Sequence, residues 1–228
     1  PEIYPDNVIK NYTSDEILLD IYDYDNHEFL TKLTQRGFYI PTTSYANYVT
    51  SPLAISSTLN MSYFNDEKIN PTLDNRNEFY NNNQLMQILK SLDYTIISMS
   101  LEHGYPEISD HQLCAPSMFV NQFHNTLIDD SLLHPFSKYF ISAGDPQRER
   151  VNCKFSELSN LENSFNSPFF VFAHIMSPHP PYLFGPNGES FNSEFLAIGA
   201  ASWDTKPGYV NQVQYINKKI IETVDKIL

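Results

Sequence analysis

An apolar run, Phe169-Phe170-Val171-Phe172-Ala173-His174-Ile175-Met176, halts abruptly in Ser177-Pro178-His179-Pro180-Pro181-Tyr182. Phe, Val and Ala without polar alternation read as a strand covered on both faces, of the kind found in the parallel sheet of an α/β protein. Such strands present chemistry at their carboxyl ends. The prolines at 178, 180 and 181 end the strand, remove backbone donors and fix φ, so His179 is expected on a stiff turn just beyond the sheet edge. His174 lies inside the run and reads as a packed core histidine. Its odd spacing from His179 puts the two on opposite faces if the strand continues regularly.

Helix and strand signals alternate along the rest of the chain, which points to α/β. Thr13-Ser14-Asp15-Glu16 resembles a capping box ahead of a helix carrying Ile17, Leu18 and Ile21. A second helix carries Phe29, Leu30 and Leu33 and stops at Gly37, and Phe38-Tyr39-Ile40 then reads as a strand. Pro52 suits the first position of a helix running through Met61, with Ser51 at the N-cap or just inside it. Residues 65 to 83 read as an exposed loop, Gln84 to Ser91 as a helix, Tyr94 to Met99 as a strand and residues 102 to 116 as a loop. Phe119 to Ile128 and Val151 to Ser164 carry helical signals. Tyr209 to Leu228 repeats Val213, Ile216, Ile220, Val224 and Ile227 at helical spacing. With 228 residues and no internal repeat, the expectation is one α/β domain over residues 1 to 228.

Charge narrows the partners. Asp and Glu number 27 against 14 Lys and Arg, a formal net charge of -13, which argues against nucleic acid. Anionic ligands stay open, because a bound metal ion reverses the local field. Cys114 and Cys153 are too few for a disulfide framework and lack zinc-site spacing, so they read as two buried or incidental thiols. No apolar run approaches the ~20 residues of a membrane helix. The sequons at Asn11 and Asn60 matter only in a glycosylating compartment.

Ser51 is the leading nucleophile candidate, with Thr50 beside it. A hydroxyl at a helix N-terminus meets the positive end of the helix dipole, which favours an attacking alkoxide and an anionic ester; the ordinary role of Ser at that position is capping. His179 is placed to donate a hydrogen bond to an ester oxygen or to protonate a leaving group. Ser109-Asp110-His111 looks like a metal-site pair but reads better as a solvated loop, since neighbouring strand residues point apart. Asp6 is a possible metal ligand whose ordinary reading is a turn former before Asn7. Asp20, Asp23 and Asp25 form an acidic helix end without the spacing of a calcium hand.

Taken in order, Tyr24-Asp25-Asn26, Phe29-Leu30, Gly37-Phe38-Tyr39, Asn47-Tyr48, Leu59-Asn60-Met61, Leu89-Lys90-Ser91-Leu92, Phe172-Ala173-His174-Ile175 and Pro178-His179-Pro180-Pro181 give the chain a likeness. It resembles sulfatase-like proteins of the alkaline phosphatase superfamily, nearest to bacterial membrane-anchored members distantly related to lipoteichoic acid synthases and phosphoethanolamine transferases. The resemblance implies a three-layer α/β sandwich with a mostly parallel central sheet. It implies a metal-dependent hydrolase or transferase of phosphate or sulfate esters, working through a covalent intermediate. Counting between Asn47-Tyr48 and Leu59-Asn60-Met61 puts the family's nucleophile on Ser51. Asp6 and Ser51 would be metal ligands, and His179 and Asn47 would bind substrate.

The implied cofactor is a divalent ion, zinc, manganese, magnesium or calcium. The implied partner is an anionic ester substrate or a lipid or glycan head group. The implied location is extracytoplasmic, behind an anchor absent from these residues. Two departures accompany the likeness. Asp6 and Lys10 compete for the first metal-ligand position, and a lysine there would repel the ion. The family's main Asp-His metal pair follows the helix corresponding to Tyr209 to Leu228, so the expectation is an N-terminal portion that is inactive by itself. The alternative is a degenerate member retained as a binding or scaffold module.

Overall fold

The computed structural model describes residues 15–41, 45–48, 50–64, 76–99, 108–115, 145–166, 168–191 and 206–228. The expected helix over Phe119 to Ile128, Asp6, Lys10 and the Asn11 sequon lie outside them. The chain forms two compact units. One comprises residues 1–98, 103–111 and 165–172; the other comprises residues 99–102, 112–164 and 173–228.

A small three-stranded parallel sheet with helices gives the chain an α/β character. Its strands are β1 (Thr95–Met99), β2 (His111–Leu113) and β3 (Phe169–Ala173), in the order β2-β1-β3. Strand β1 is central, and Ile96, Ile97, Ser98 and Met99 are fully buried. Strand β3 has one neighbour among the described strands, and all five of its residues are half-buried. Residues on both faces are thus partly covered, less completely than in the expected strand covered on both faces. An aromatic run also suits a strand with one partner, because large side chains still bury area at an edge.

In the first unit, helices α1 (Asp15–Tyr22) and α2 (His27–Gln35) precede Gly37, whose φ of +88° turns the chain out of the helix at little steric cost. The expected strand at Phe38 to Ile40 is absent. Phe38 is 44% and Tyr39 87% exposed, so this β-prone triplet lacks the packed surface that makes strand residues favourable. Helix α3 (Ser51–Leu59), α4 (Arg76–Asn81) and α5 (Gln84–Ser91) follow. Asn83 caps α5 by accepting from the Met86 amide at 3.0 Å.

Asn60 ties these helices together. Its amide nitrogen donates to the carbonyls of Ser56 and Phe79, both at 2.8 Å, and its oxygen accepts from the Gln84 amide at 3.1 Å. Asp110 does the same for the sheet. Its carboxylate accepts from the Ile96 amide at 2.8 Å and from Lys90 Nζ at 2.9 Å. Asp110 lies on an exposed bend, as a solvated loop would place it, and fastens the start of β1; His111, also exposed, departs from that reading by opening β2, with its ring 4.9 Å from that of Phe165.

The second unit is built on α6 (Asp145–Leu158), the short α7 (Leu161–Ser164) and α8 (Lys206–Ile227). Phe155, Leu183, Phe184, Tyr215 and Ile216 form its buried cluster, and Val151, Ile175 and Ile220 pack on it. Phe184 stacks on Tyr215 with ring centroids 4.5 Å apart. Gly208 allows α8 to meet the loop closely, since a Cβ there would stand 2.7 Å from the Tyr182 ring. Cys114 and Cys153 form a disulfide, which corrects the reading of two incidental thiols. Their separation of 39 residues hides the pairing in a sequence, because only the fold brings the two sulfurs together.

Candidate functional site

The second unit holds a pocket whose walls come from three pieces of chain. Helix α6 contributes Gln147, Arg150, Val151 and Lys154, which recur at intervals of three and four residues and so share one face. The stretch after β3 contributes His174, Met176, Ser177, His179, Pro180 and Pro181, followed by Leu183 and Phe184. Helix α8 contributes Gln212. Every described lining residue belongs to the second unit.

Three side chains of this lining, Lys154, His179 and Gln212, are held in place by hydrogen bonds. Lys154 is only 7% exposed, and its Nζ donates to the His174 carbonyl at 2.8 Å. The strand ends at Ala173, so the alternation that would send His174 and His179 to opposite faces stops before either is reached. Both line the pocket. The His179 Nδ1 lies 2.6 Å from the Pro180 carbonyl. A carbonyl only accepts, so Nδ1 carries the hydrogen, and Nε2 is an acceptor in the neutral ring and a donor in the protonated one. Ser177 adds a buried hydroxyl that meets no hydrogen-bond partner among the described residues.

Gln212, 1% exposed, was not expected from sequence. Its Nε2 donates to the His179 carbonyl at 3.1 Å, and its Oε1 accepts from the Leu183 amide at 2.7 Å. A signal for it exists. Gln212 falls three residues after Tyr209 and four before Ile216, so it interrupts the buried stripe of α8 with a polar group. A buried primary amide needs partners, and a turn rich in proline lacks donors of its own.

Among the described residues, arginine and lysine stand in this lining without any carboxylate, although the chain as a whole is strongly acidic. Charges withdrawn from water act more strongly on a bound ion than exposed ones do. Arg148, on the same helix, serves packing instead. It donates to the Gly188 carbonyl at 2.7 Å and lies 5.2 Å from the centroid of the Phe184 ring.

The other expected site residues belong to the first unit. Ser51 is exposed and is the first residue of α3; Thr50 takes the N-cap, and its side chain makes no capping hydrogen bond. The Asn47 amide donates to Ser57 Oγ at 2.9 Å, which joins the loop before α3 to the helix itself. Among the described residues no three His, Cys, Asp or Glu side chains come together as a metal site. No described helix is long and apolar enough to cross a membrane. No protein-family model, curated protein or solved structure matches the chain.

Proposed function

We propose that this chain recognises a phosphate or sulfate ester, with the anionic group taken by the pocket of the second unit. The observation that carries the reading is the composition of that lining: Arg150, Lys154, His174 and His179 beside Gln147 and Gln212, with no carboxylate among the described lining residues. Cations and amide donors gathered in one lining suit tetrahedral oxyanions, whose oxygens accept several hydrogen bonds at once. The His179 ring, oriented by Pro180, supplies a donor when protonated.

The resemblance to sulfatase-like proteins of the alkaline phosphatase superfamily extends the proposal from recognition to chemistry. Ser51 is then the nucleophile of a hydrolase or transferase with the three-layer sandwich of that superfamily, and Asn47 and His179 serve the substrate. Water or an acceptor alcohol resolves the covalent ester. The family's divalent metal finds no ligand set among the described residues, so no step here is routed through it. The Cys114–Cys153 disulfide supports the extracytoplasmic location that goes with this reading, since such bonds persist in oxidising compartments. A lipid or glycan head group is the corresponding substrate class.

A second reading, a binding module without catalysis, is favoured by the fact that the described lining residues all lie in one unit and include neither Ser51 nor Asn47. Calorimetry with inorganic phosphate and sulfate tests recognition. Lys154→Met is expected to weaken binding roughly ten- to a hundredfold, the worth of a hydrogen bond to a charged group, and unchanged affinity would overturn the assignment. Hydrolysis of a nitrophenyl phosphate or sulfate ester separates the two readings. Turnover that disappears in Ser51→Ala while anion binding persists marks the enzyme; binding without turnover marks the module.

A further inference from the structure

We propose that Gln212 is the positioning residue for His179, holding the histidine where it meets the anion; the proposal rests on the anion reading of the pocket. The stretch from His179 to Leu183 contains Pro180 and Pro181, which have no amide hydrogen and cannot fasten the turn by main-chain donation. One side chain bridges them. The Gln212 Nε2 donates to the carbonyl on the near side, at His179, and the Oε1 accepts from the amide on the far side, at Leu183. A primary amide is suited to the task because it donates and accepts at once from a single planar group.

The clamp reaches the ring through one further bond. His179 Nδ1 is oriented by the carbonyl of Pro180, and Pro180 lies between the two points that Gln212 holds. Displacing the turn therefore displaces the acceptor that aims the ring. Gln212 itself has little freedom, since it is buried on α8 beside Tyr209, Val213 and Ile216. A glutamate of the same length would keep the acceptor for Leu183 but, when ionised, lose the donor for His179. A methionine would fill the volume and supply neither.

The test is a double-mutant cycle read by calorimetry with inorganic phosphate on the full chain, with thermal unfolding of each variant to establish that it is folded. Gln212→Met is expected to weaken phosphate binding about tenfold in the wild-type background, the worth of a lost hydrogen bond or two. In the His179→Ala background the same substitution is expected to change affinity by less than about twofold, because the group it positions is gone. Equal losses in both backgrounds would mean that Gln212 supports the pocket generally and would overturn the proposal, as would an unchanged affinity in Gln212→Met.

If Gln212→Met fails to fold, Gln212→Asn, neutral but one methylene too short to bridge both points, takes its place in the cycle with the same two outcomes. If the wild-type chain binds neither phosphate nor sulfate, the anion reading falls, and the clamp is judged on the ligand-free protein from the carbon-bound ring resonances of His179. Their shift or broadening in the variant, with those of His27 unchanged, supports the clamp. Unaltered His179 resonances overturn it.

Discussion

Each unit fixes polar side chains with hydrogen bonds, and the two use them differently. In the first, Asp110, Asn60 and Asn83 bond to main-chain groups of their own unit, and Ser98 accepts from Ser109 at 2.6 Å. These bonds close upon themselves. In the second, Lys154, His179 and Gln212 are fixed by equally definite bonds but line an opening. The difference separates polar groups that specify a fold from polar groups held ready for something else. Ser51 belongs to neither set, since it stands exposed at the start of α3.

The largest expected effect sharpens the contrast from the side of the second unit. Cys153 precedes Lys154 on α6, so removing both cysteines should loosen the helix that carries the pocket's cations. Loop-closure entropy for the separation of 39 residues puts the loss at about 4 kcal/mol. Denaturant unfolding of the Cys114→Ala, Cys153→Ala double variant measures it, and a loss below about 1 kcal/mol would mean that packing alone holds α6.

Asp110→Ala is the counterpart in the first unit. Desolvation raises its carboxyl pKa, but the Ile96 amide, the Lys90 hydrogen bond and charge, and the His111 charge outweigh this and leave it below the ordinary value. The carboxylate form is thus favoured by folding. Its stabilisation is complete above the ordinary carboxylate range and is lost as pH falls through the lowered folded value. The side chain is 38% exposed, so solvent screens the ion pair and the expected loss is about 1 kcal/mol, chiefly from the Ile96 bond. Thermal melts at neutral and acidic pH should show wild type and variant converging in acid. Phosphate affinity should be the same for both, and a drop in the variant would break the contrast between the units.

Tyr80 is the exception within the first unit. Its hydroxyl is buried without a hydrogen-bond partner among the described residues, burial pushes the phenol's pKa up, and its ring packs 6.2 Å from that of Phe172. Tyr80→Phe keeps the ring contact and removes the unsatisfied oxygen. It should stabilise the protein by up to about 1 kcal/mol in denaturant unfolding; a loss of that size would reveal a partner for the hydroxyl. The smallest effect belongs to Ser51→Ala, expected to change stability by less than about 0.5 kcal/mol because the N-cap is Thr50. A larger change would show that the hydroxyl serves the fold.

What sequence could reveal followed the reach of each signal. Helix α5 spans Gln84 to Ser91 as its periodicity indicates, and β1 and α8 differ from expectation only at their ends. These elements carry their pattern within their own residues. Strand β2 is three residues long and mostly exposed, so no alternation could mark it. Asp110 was discounted as a metal ligand for a sound reason, yet its role depends on Ile96 and Lys90, which local spacing does not connect. The stiff turn around His179 was legible from its prolines, whereas the residue that fastens it lies 33 positions downstream. Pocket composition is likewise a property of three distant segments, invisible until they meet.

The bond from the Leu183 amide to Gln212 gives the turn an internal clock. Pro178, Pro180 and Pro181 carry no exchangeable amide hydrogen, so from Pro178 to Pro181 deuterium uptake reports only His179. The Leu183 hydrogen is held by a side chain on another element. Its exchange rate therefore times the separation of α8 from the histidine turn, an opening of the wall detectable before any ligand is known.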